Sequence, residues 1–211
     1  MTDPDPDIRN RPLHEGELDS DPLAQFGAWF EDAGAQGAHE PEAVALATAS
    51  PDGAPSVRMV LMKRYGPEGL TFFTNYGSRK GEELGRNPRA ALLFYWPELG
   101  RQVRVEGSVE RVPRELSEEY ARSRSRGSQL SALASPQSRP LQDRDWLEQR
   151  VAQLEREYSG VDELPVGDSW GGFRLTPDAW EFWQQRRDRL HDRFRFEPAA
   201  GGGWSHQRLG P

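Results

Sequence analysis

A series of short runs with strand character, parted by glycine- and proline-containing turns, constrains the fold of this chain more than any other feature. Residues 43–49 (Ala-Val-Ala-Leu-Ala-Thr-Ala) read as a buried strand, and Pro51-Asp52-Gly53 as the turn after it. Residues 56–64 and 70–74 form the next two strands around Gly66-Pro67-Glu68-Gly69, followed by 90–95 and 101–112. In the last of these, Val103, Val105 and Val109 face one way while Gln102, Arg104 and Glu106 face the other. After Gly171-Gly172 the runs 172–176, 179–184, 189–196 and 203–208 return to strand character. Helices fall between and before them. Asp21-Pro22 caps an amphipathic helix carrying Leu23, Phe26, Trp29 and Phe30, and Ser78 caps a short helix over 79–86 that Asn87-Pro88 stops. Pro113 opens a helix to about residue 125, and 141–158 carries the stripe Leu147, Val151, Leu154, Tyr158. The sum predicts a mainly β protein, a small β-barrel with peripheral helices. One domain is expected over 21–211, with a flexible arm over 1–20 where Asp-Pro-Asp-Pro-Asp replaces apolar periodicity.

Composition narrows the function. Only 35% of residues are hydrophobic, but seven Trp and nine Phe supply large units of buried area. The net charge of −7 argues against nucleic-acid or anionic-membrane binding, so a local basic cluster suits a small anion better. The absence of cysteine excludes disulfides and thiolate chemistry, and the four His residues (14, 39, 191, 206) have no metal-ligand spacing. No apolar run approaches the roughly 18 residues of a membrane helix, so a cytoplasmic protein is expected.

Four constellations carry chemistry. Arg58-Met59-Val60-Leu61-Met62-Lys63 places its two cations five residues apart, hence on opposite faces of a regular strand. Either a bulge intervenes, or they serve different ligand groups, or both are solvated edge charges. Thr74-Asn75-Tyr76-Gly77-Ser78-Arg79-Lys80 joins a strand end to a helix N-terminus bearing two cations, an arrangement that can hold a phosphate or be an ordinary capped helix. Tyr120, Arg124 and Ser128 share one helical face if the helix persists to Gly127, a stripe that reads equally as a phosphate grip or as a solvated face in which Tyr120 packs sideways. Arg189, His191 and Arg193 alternate with Leu190, Asp192 and Phe194, so a strand there puts two Arg and a His on one face.

Taken in order, these segments resemble the pyridoxamine 5′-phosphate oxidase family from about residue 21 to Pro211. The resemblance also rests on Arg101-Gln-Val-Arg-Val-Glu-Gly107, Ser123-Arg-Ser-Arg-Gly-Ser-Gln129, Ser135-Pro-Gln-Ser138, Trp170-Gly-Gly-Phe173, Glu181-Phe-Trp-Gln184 and Arg208-Leu-Gly-Pro211. It implies an FMN-binding split β-barrel, a homodimer with FMN at the subunit interface. It assigns to FMN Arg58, Met59, Val60, Leu61, Met62, Lys63, Phe73, Thr74, Arg79, Lys80, Gln102, Gln137, Ser138, Trp183 and Arg193. It assigns the substrate phosphate to Lys63, Tyr120, Arg124 and Ser128, and closure over the pyridine ring, with the catalytic role, to Arg189 and His191. The implied reaction converts pyridoxamine 5′-phosphate and pyridoxine 5′-phosphate to pyridoxal 5′-phosphate. Hydride passes from substrate C4′ to FMN, and O2 reoxidises the flavin to give H2O2. Other readings are a related oxidase of the phenazine-pathway type and a non-catalytic flavin- or pyridoxal-phosphate-binding protein. Two departures from the family pattern stand out. Gln184-Gln-Arg-Arg-Asp188 is bulkier and more basic than the usual glycine-containing stretch, and Asn10-Arg-Pro-Leu13 lacks the tyrosine of the family's N-terminal arm.

Overall fold

In the computed structural model, which describes residues 8–211, the strand-like runs become eight antiparallel strands of one sheet. These are β1 (Ala43–Ala49), β2 (Pro55–Gly66), β3 (Gly69–Asn75), β4 (Arg89–Trp96), β5 (Arg101–Arg111), β6 (Trp170–Gln184), β7 (Asp192–Pro198) and β8 (Trp204–Arg208). Their order is β3-β2-β1-β4-β5-β6-β7-β8, and β3 also pairs with β6, so six strands close into a barrel. Strand β6 is long enough to serve two partners. Its Trp170–Leu175 half pairs with β3 and its Trp180–Gln184 half with β7, while β5 runs along both.

Two separate strands were expected where β6 runs unbroken. The register shift at Glu106/Gly107 of β5 absorbs Pro177 and Asp178 as a bulge, so the proline bends the strand without ending it. Gly107 is required there, because a Cβ would collide with the Thr176 carbonyl.

Alternation fills the interior. Val44 and Leu46, Leu92 and Phe94, Val103 and Val105, and Phe182 all point inward and are buried. Helix α1 (Pro22–Ala35), capped by Asp21 accepting the Leu23 N–H at 2.9 Å, adds Phe26 and Trp29 to this core. The Phe26 ring lies 5.0 Å from that of Phe94 and 5.5 Å from that of Trp180. The opposite face of the same strands is apolar and bare. Val57 is 69% exposed, Met59 63% and Tyr95 53%, with Leu61 and Leu93 beside them.

Helix α2 spans Arg79–Arg86, capped by Ser78 as expected. The helix expected to about residue 125 stops early. It is α3 (Arg114–Ser123), and a new helix, α4 (Arg126–Ala134), starts after extended Arg124 with Ser125 as its cap. The local hydroxyl cap at Ser125 competes with continuation of the helix. Helix α5 (Arg144–Glu157) packs Leu154 against Leu130 and Ala134 of α4, and Leu147, Val151 and Tyr158 flank this small second core.

Of the arm expected to be flexible over 1–20, residues 1–7 lie outside the described residues, and Ile8 onward is docked. Leu13 is buried in the barrel core. The Gln184 side chain donates to the Arg9 carbonyl at 3.0 Å. Among the described residues no helix is long and apolar enough to cross a membrane.

Candidate active site

A bulge settles the relation of Arg58 to Lys63. Met62 pairs with Phe72 and Arg64 with Thr71, leaving Lys63 as the extra residue of β2. Arg58 stays on the inward side, bound to the Leu46 carbonyl at 3.1 Å, while Lys63 swings to a cleft of about 270 Å³ at the β2–β3 edge. Met59, Val60, Leu61, Thr74, Lys80 and Gln137 line this cleft with Lys63, and α3 and its C-terminal end contribute Tyr120 and Arg124. Phe73 and Trp170 form one wall. The Phe73 ring stacks on Tyr120 at 4.1 Å and on Trp170 at 5.6 Å, and the Arg124 guanidinium lies 5.3 Å over the Trp170 ring.

The electrostatics of the cleft call for an anion. Buried Lys80 donates to Thr74 Oγ1 and Gln137 Oε1, each at 3.2 Å. Burial pulls its pKa down, and the charge of Arg58 pulls it further. Burial likewise lowers Arg58, with Glu83 opposing that shift and Arg79 adding to it. Glu83 bonds both guanidinium groups, at 3.3 Å to Arg58 and 2.8 Å to Arg79. Glu83 thus holds two guanidinium groups, and Glu42 lies 3.6 Å from Lys63.

A second cleft lies across the same sheet face. Gln102 pairs with Trp183, and Trp183 with Arg193, so the three sit side by side on β5, β6 and β7. They line this cleft with Leu93, Arg104, Glu181 and Pro211. Buried Glu181 holds Arg104 at 2.5 Å and Arg193 at 2.9 Å, and Arg193 also donates to the Gly210 carbonyl at 2.8 Å. The two clefts share no residue, and the bare apolar face of β2, β1 and β4 lies between them.

Arg189 and His191 do not sit on a strand. Strand β7 begins only at Asp192, and Arg187–Arg189 is a 3₁₀ turn. Asp188 and Arg189 have φ of 55° and 62°, a left-handed conformation that disfavours strand continuation by roughly 1–2 kcal/mol per non-glycine residue. The His191 ring packs on Trp183 at 4.5 Å between centroids, and its Nδ1 accepts the Arg186 backbone N–H at 3.1 Å.

A profile described as pyridoxamine 5′-phosphate oxidase matches residues 30–157, and one described as the pyridoxine 5′-phosphate oxidase C-terminal dimerisation region matches 170–211. The chain belongs to the pyridoxamine 5′-phosphate oxidase family. It is 52% identical over 199 residues to a pyridoxine/pyridoxamine 5′-phosphate oxidase of Rubrobacter xylanophilus, covering 94% of this chain and 91% of the relative. A Salinibacter ruber protein of the same name is 48% identical, covering 94% and 93%. Among solved structures, PhzG from Burkholderia lata, in complex with tetrahydrophenazine-1-carboxylic acid, superposes with a TM-score of 0.89 at 33% identity, covering 96% of this chain and all of PhzG.

Against the family resemblance, the first cleft gathers Met59, Val60, Leu61, Lys63, Phe73, Thr74, Lys80, Tyr120, Arg124 and Gln137. Arg58 and Arg79 stand behind it on Glu83, Met62 is buried in the barrel, and Ser138 follows Gln137 with φ 67°. Ser128 is not on one helical stripe with Tyr120. It sits in the first turn of α4, where its N–H and hydroxyl engage Ser125 at 3.4 and 2.9 Å. Residue-level reasoning passed over Glu83, Glu181 and the wall role of Trp170. The i,i+4 spacing of Arg79 and Glu83 on α2 was the available signal for the first.

Glu83 gives this oxidase-family chain a testable pH dependence. Burial alone would raise its pKa, but hydrogen bonds from Ser56, Thr48 and Arg79 hold it at about 2, against an ordinary 4.5. A folded-state pKa below the unfolded one stabilises at pH above about 4.5 and is lost as pH falls toward 2. Glu83→Gln is therefore expected to lower Tm by roughly 5–10 °C near neutrality, the effect of losing about 2–3 kcal/mol from a buried ionic network. The gap to wild type should close on acidification through that window. A gap that stays constant across it in thermal melts would contradict the assignment.

Proposed function

We propose that this chain is an FMN-dependent oxidase of pyridoxamine 5′-phosphate and pyridoxine 5′-phosphate, forming pyridoxal 5′-phosphate. The observation that carries the reading is the first cleft, where Lys63, Lys80 and Arg124 converge beside a stacked aromatic wall. This cationic lining suits a phosphate, and buried Lys80 hydrogen-bonds the neutral Thr74 and Gln137 side chains rather than a carboxylate. FMN fits these residues. Arg58, Arg79 and Lys80 would hold its phosphate end, and the β2 run to Lys63, with Phe73, Thr74, Gln137 and Ser138, would flank the rest. Bound FMN supplies the electron sink for oxidation at substrate C4′, with O2 as final acceptor.

The protein's own part is binding, orientation and exclusion of water. Lys63, Tyr120 and Arg124 would fix the substrate phosphate, with Ser128 approaching from α4. Arg189 and His191 would close over the ring. Because a backbone N–H can only donate, His191 Nδ1 is the acceptor and the neutral imidazole keeps its proton on Nε2. His191 then offers a donor to the substrate. Gln102, Trp183 and Arg193 are best used by a second copy, since an apolar face separates their cleft from the first. A homodimer pairing that face would bring each first cleft to the partner's second one. The matched dimerisation region spans β6, β7 and β8 and supports this arrangement.

The test is an absorption spectrum of the purified protein before and after pyridoxamine 5′-phosphate is added without oxygen. The expected result is a flavin spectrum that bleaches and returns on admitting air. A flavin that stays oxidised with this substrate but bleaches with a reduced phenazine carboxylate would move the assignment to the PhzG-like reading. Failure to retain added FMN would remove the cofactor assignment.

A further inference from the structure

The Arg187–Arg189 turn is strained, and something must hold it. Two consecutive non-glycine residues in the left-handed region do not persist unless their surroundings impose them. The surroundings converge on one carboxylate. Asp192 Oδ2 accepts the Leu13 backbone N–H at 3.1 Å and Arg186 Nη1 at 3.2 Å, while Oδ1 accepts Arg208 Nη1 at 2.6 Å. Arg208 Nη2 reaches on to the Leu13 carbonyl at 3.3 Å, so both backbone polar groups of Leu13 are tied to this cluster. Arg186, held by Asp192 through its side chain, gives its backbone N–H to His191 Nδ1. A continuous path therefore runs from the docked N-terminal segment through Asp192 and Arg186 to the His191 ring.

The segment itself is firmly seated. Leu13 is buried in the barrel core and the Ile8 side chain packs against it. The Arg9 carbonyl accepts from Gln184, the last residue of β6, and Arg9 Nε donates to the Glu98 carbonyl at 3.3 Å. Burial would raise the Asp192 carboxyl, but the Leu13 N–H and the Arg208 bond hold it below its ordinary range, so it is charged at neutral pH.

We propose that Asp192 is a positioning residue that locks the docked segment Ile8–Leu13 to Arg186 and thereby sets the Arg189–His191 turn for substrate. It touches neither substrate nor cofactor in this scheme. It acts through Arg186, and the N-terminal segment acts through it. The proposal rests on the reading of Arg189 and His191 as substrate contacts. It also gives the N-terminal segment of this chain a use that needs no tyrosine over the substrate.

The test pairs hydrogen–deuterium exchange of the FMN-loaded protein with steady-state kinetics on pyridoxamine 5′-phosphate, for wild type and Asp192→Asn. Exchange at 9–13 and at 186–191 should quicken together, by about tenfold or more, the loss expected for one charge-assisted cluster. KM should rise by about tenfold with kcat within a few-fold of wild type, since the ring contacts are intact but less often in place. Leu13→Ala reads the same coupling from the other end without touching the carboxylate, and it also serves if Asp192→Asn folds poorly. It should quicken exchange at 186–191 as well. Unchanged exchange at 186–191 in either folded variant overturns the coupling and leaves the substrate reading standing. Quickened exchange with unchanged KM overturns the positioning role, and the assignment of Arg189 and His191 as substrate contacts fails with it.

Discussion

Val57→Asp is expected to give a folded monomer that no longer retains FMN at micromolar concentration. Val57 is 69% exposed in the single chain and lines neither cleft, so the substitution removes no ligand contact and creates no internal cavity. It lies opposite Ala47 on the outward face that β2, β1 and β4 share with Met59, Leu93 and Tyr95. An isologous contact through this face would bury two copies of the new carboxylate, each with a desolvation penalty of several kcal/mol. Loss of the dimer should take the cofactor with it, because Lys63, Lys80 and Gln137 lie on one side of this face and Gln102, Trp183 and Arg193 on the other. Sedimentation and flavin fluorescence on one sample decide it. A monomer that keeps FMN would show that one chain's first cleft suffices. A dimer that tolerates Asp at 57 would show that another face pairs.

The barrel was legible because alternation is a local signal. Val103, Val105 and Val109 face inward and Gln102, Arg104 and Glu106 outward, as the period of two requires. The Asp21 and Ser78 caps were legible for the same reason, since a hydroxyl or carboxylate reaches only two or three residues ahead. What was not legible depends on choices between two local options. Pro177 could end a strand or sit in a bulge, and only the pairing with Gly107, 70 positions upstream, selects the bulge. Ser125 could ride within a helix or cap a new one, and packing of Leu130 against Leu154 favours the cap. The run from Arg189 alternates like a strand, yet its first residues are drawn into a turn by Asp192 and its partners at Leu13 and Arg208, near the two ends of the chain. Arg58 and Lys63 could be reconciled only through the bulge, which shows itself in the partner strand's register rather than in β2.

Family resemblance implies site roles that local reading left open, and the structure adds the surroundings of the cations it names. Cationic residues alone read equally well as solvated edges. The difference lies in burial and company: Lys80 has lost most of its water, and its nearest charged neighbours include another cation. A buried group in that state is poised for an anion, whereas an exposed lysine would be indifferent. Glu83 and Glu181 complete the design. Each is buried, each holds two guanidinium groups, and each thereby fixes cations at a cleft that would otherwise be long, mobile side chains.

Arg124→Ala is expected to raise KM for pyridoxamine 5′-phosphate by about 30- to 1000-fold, corresponding to roughly 2–4 kcal/mol for truncating one partner of a desolvated charge pair. Its guanidinium stands over the Trp170 ring, outside both helices, so its removal breaks no helical hydrogen bond. Its position is fixed by that stacking and by the break between α3 and α4. FMN affinity should change far less, because Arg58, Arg79 and Lys80 are held independently by Glu83, Thr74 and Gln137. Tyr120→Phe should be milder, about tenfold, since it loses one hydroxyl hydrogen bond but keeps the stack on Phe73. The ordering discriminates between roles. If Arg124 grips the substrate phosphate, removing that phosphate from the substrate should abolish most of the difference between wild type and Arg124→Ala, and steady-state kinetics with pyridoxamine would show the two converging. If instead the variant loses FMN in proportion to its loss of activity, Arg124 belongs to the cofactor. The substrate phosphate would then have to rest on Lys63, Tyr120 and Ser128.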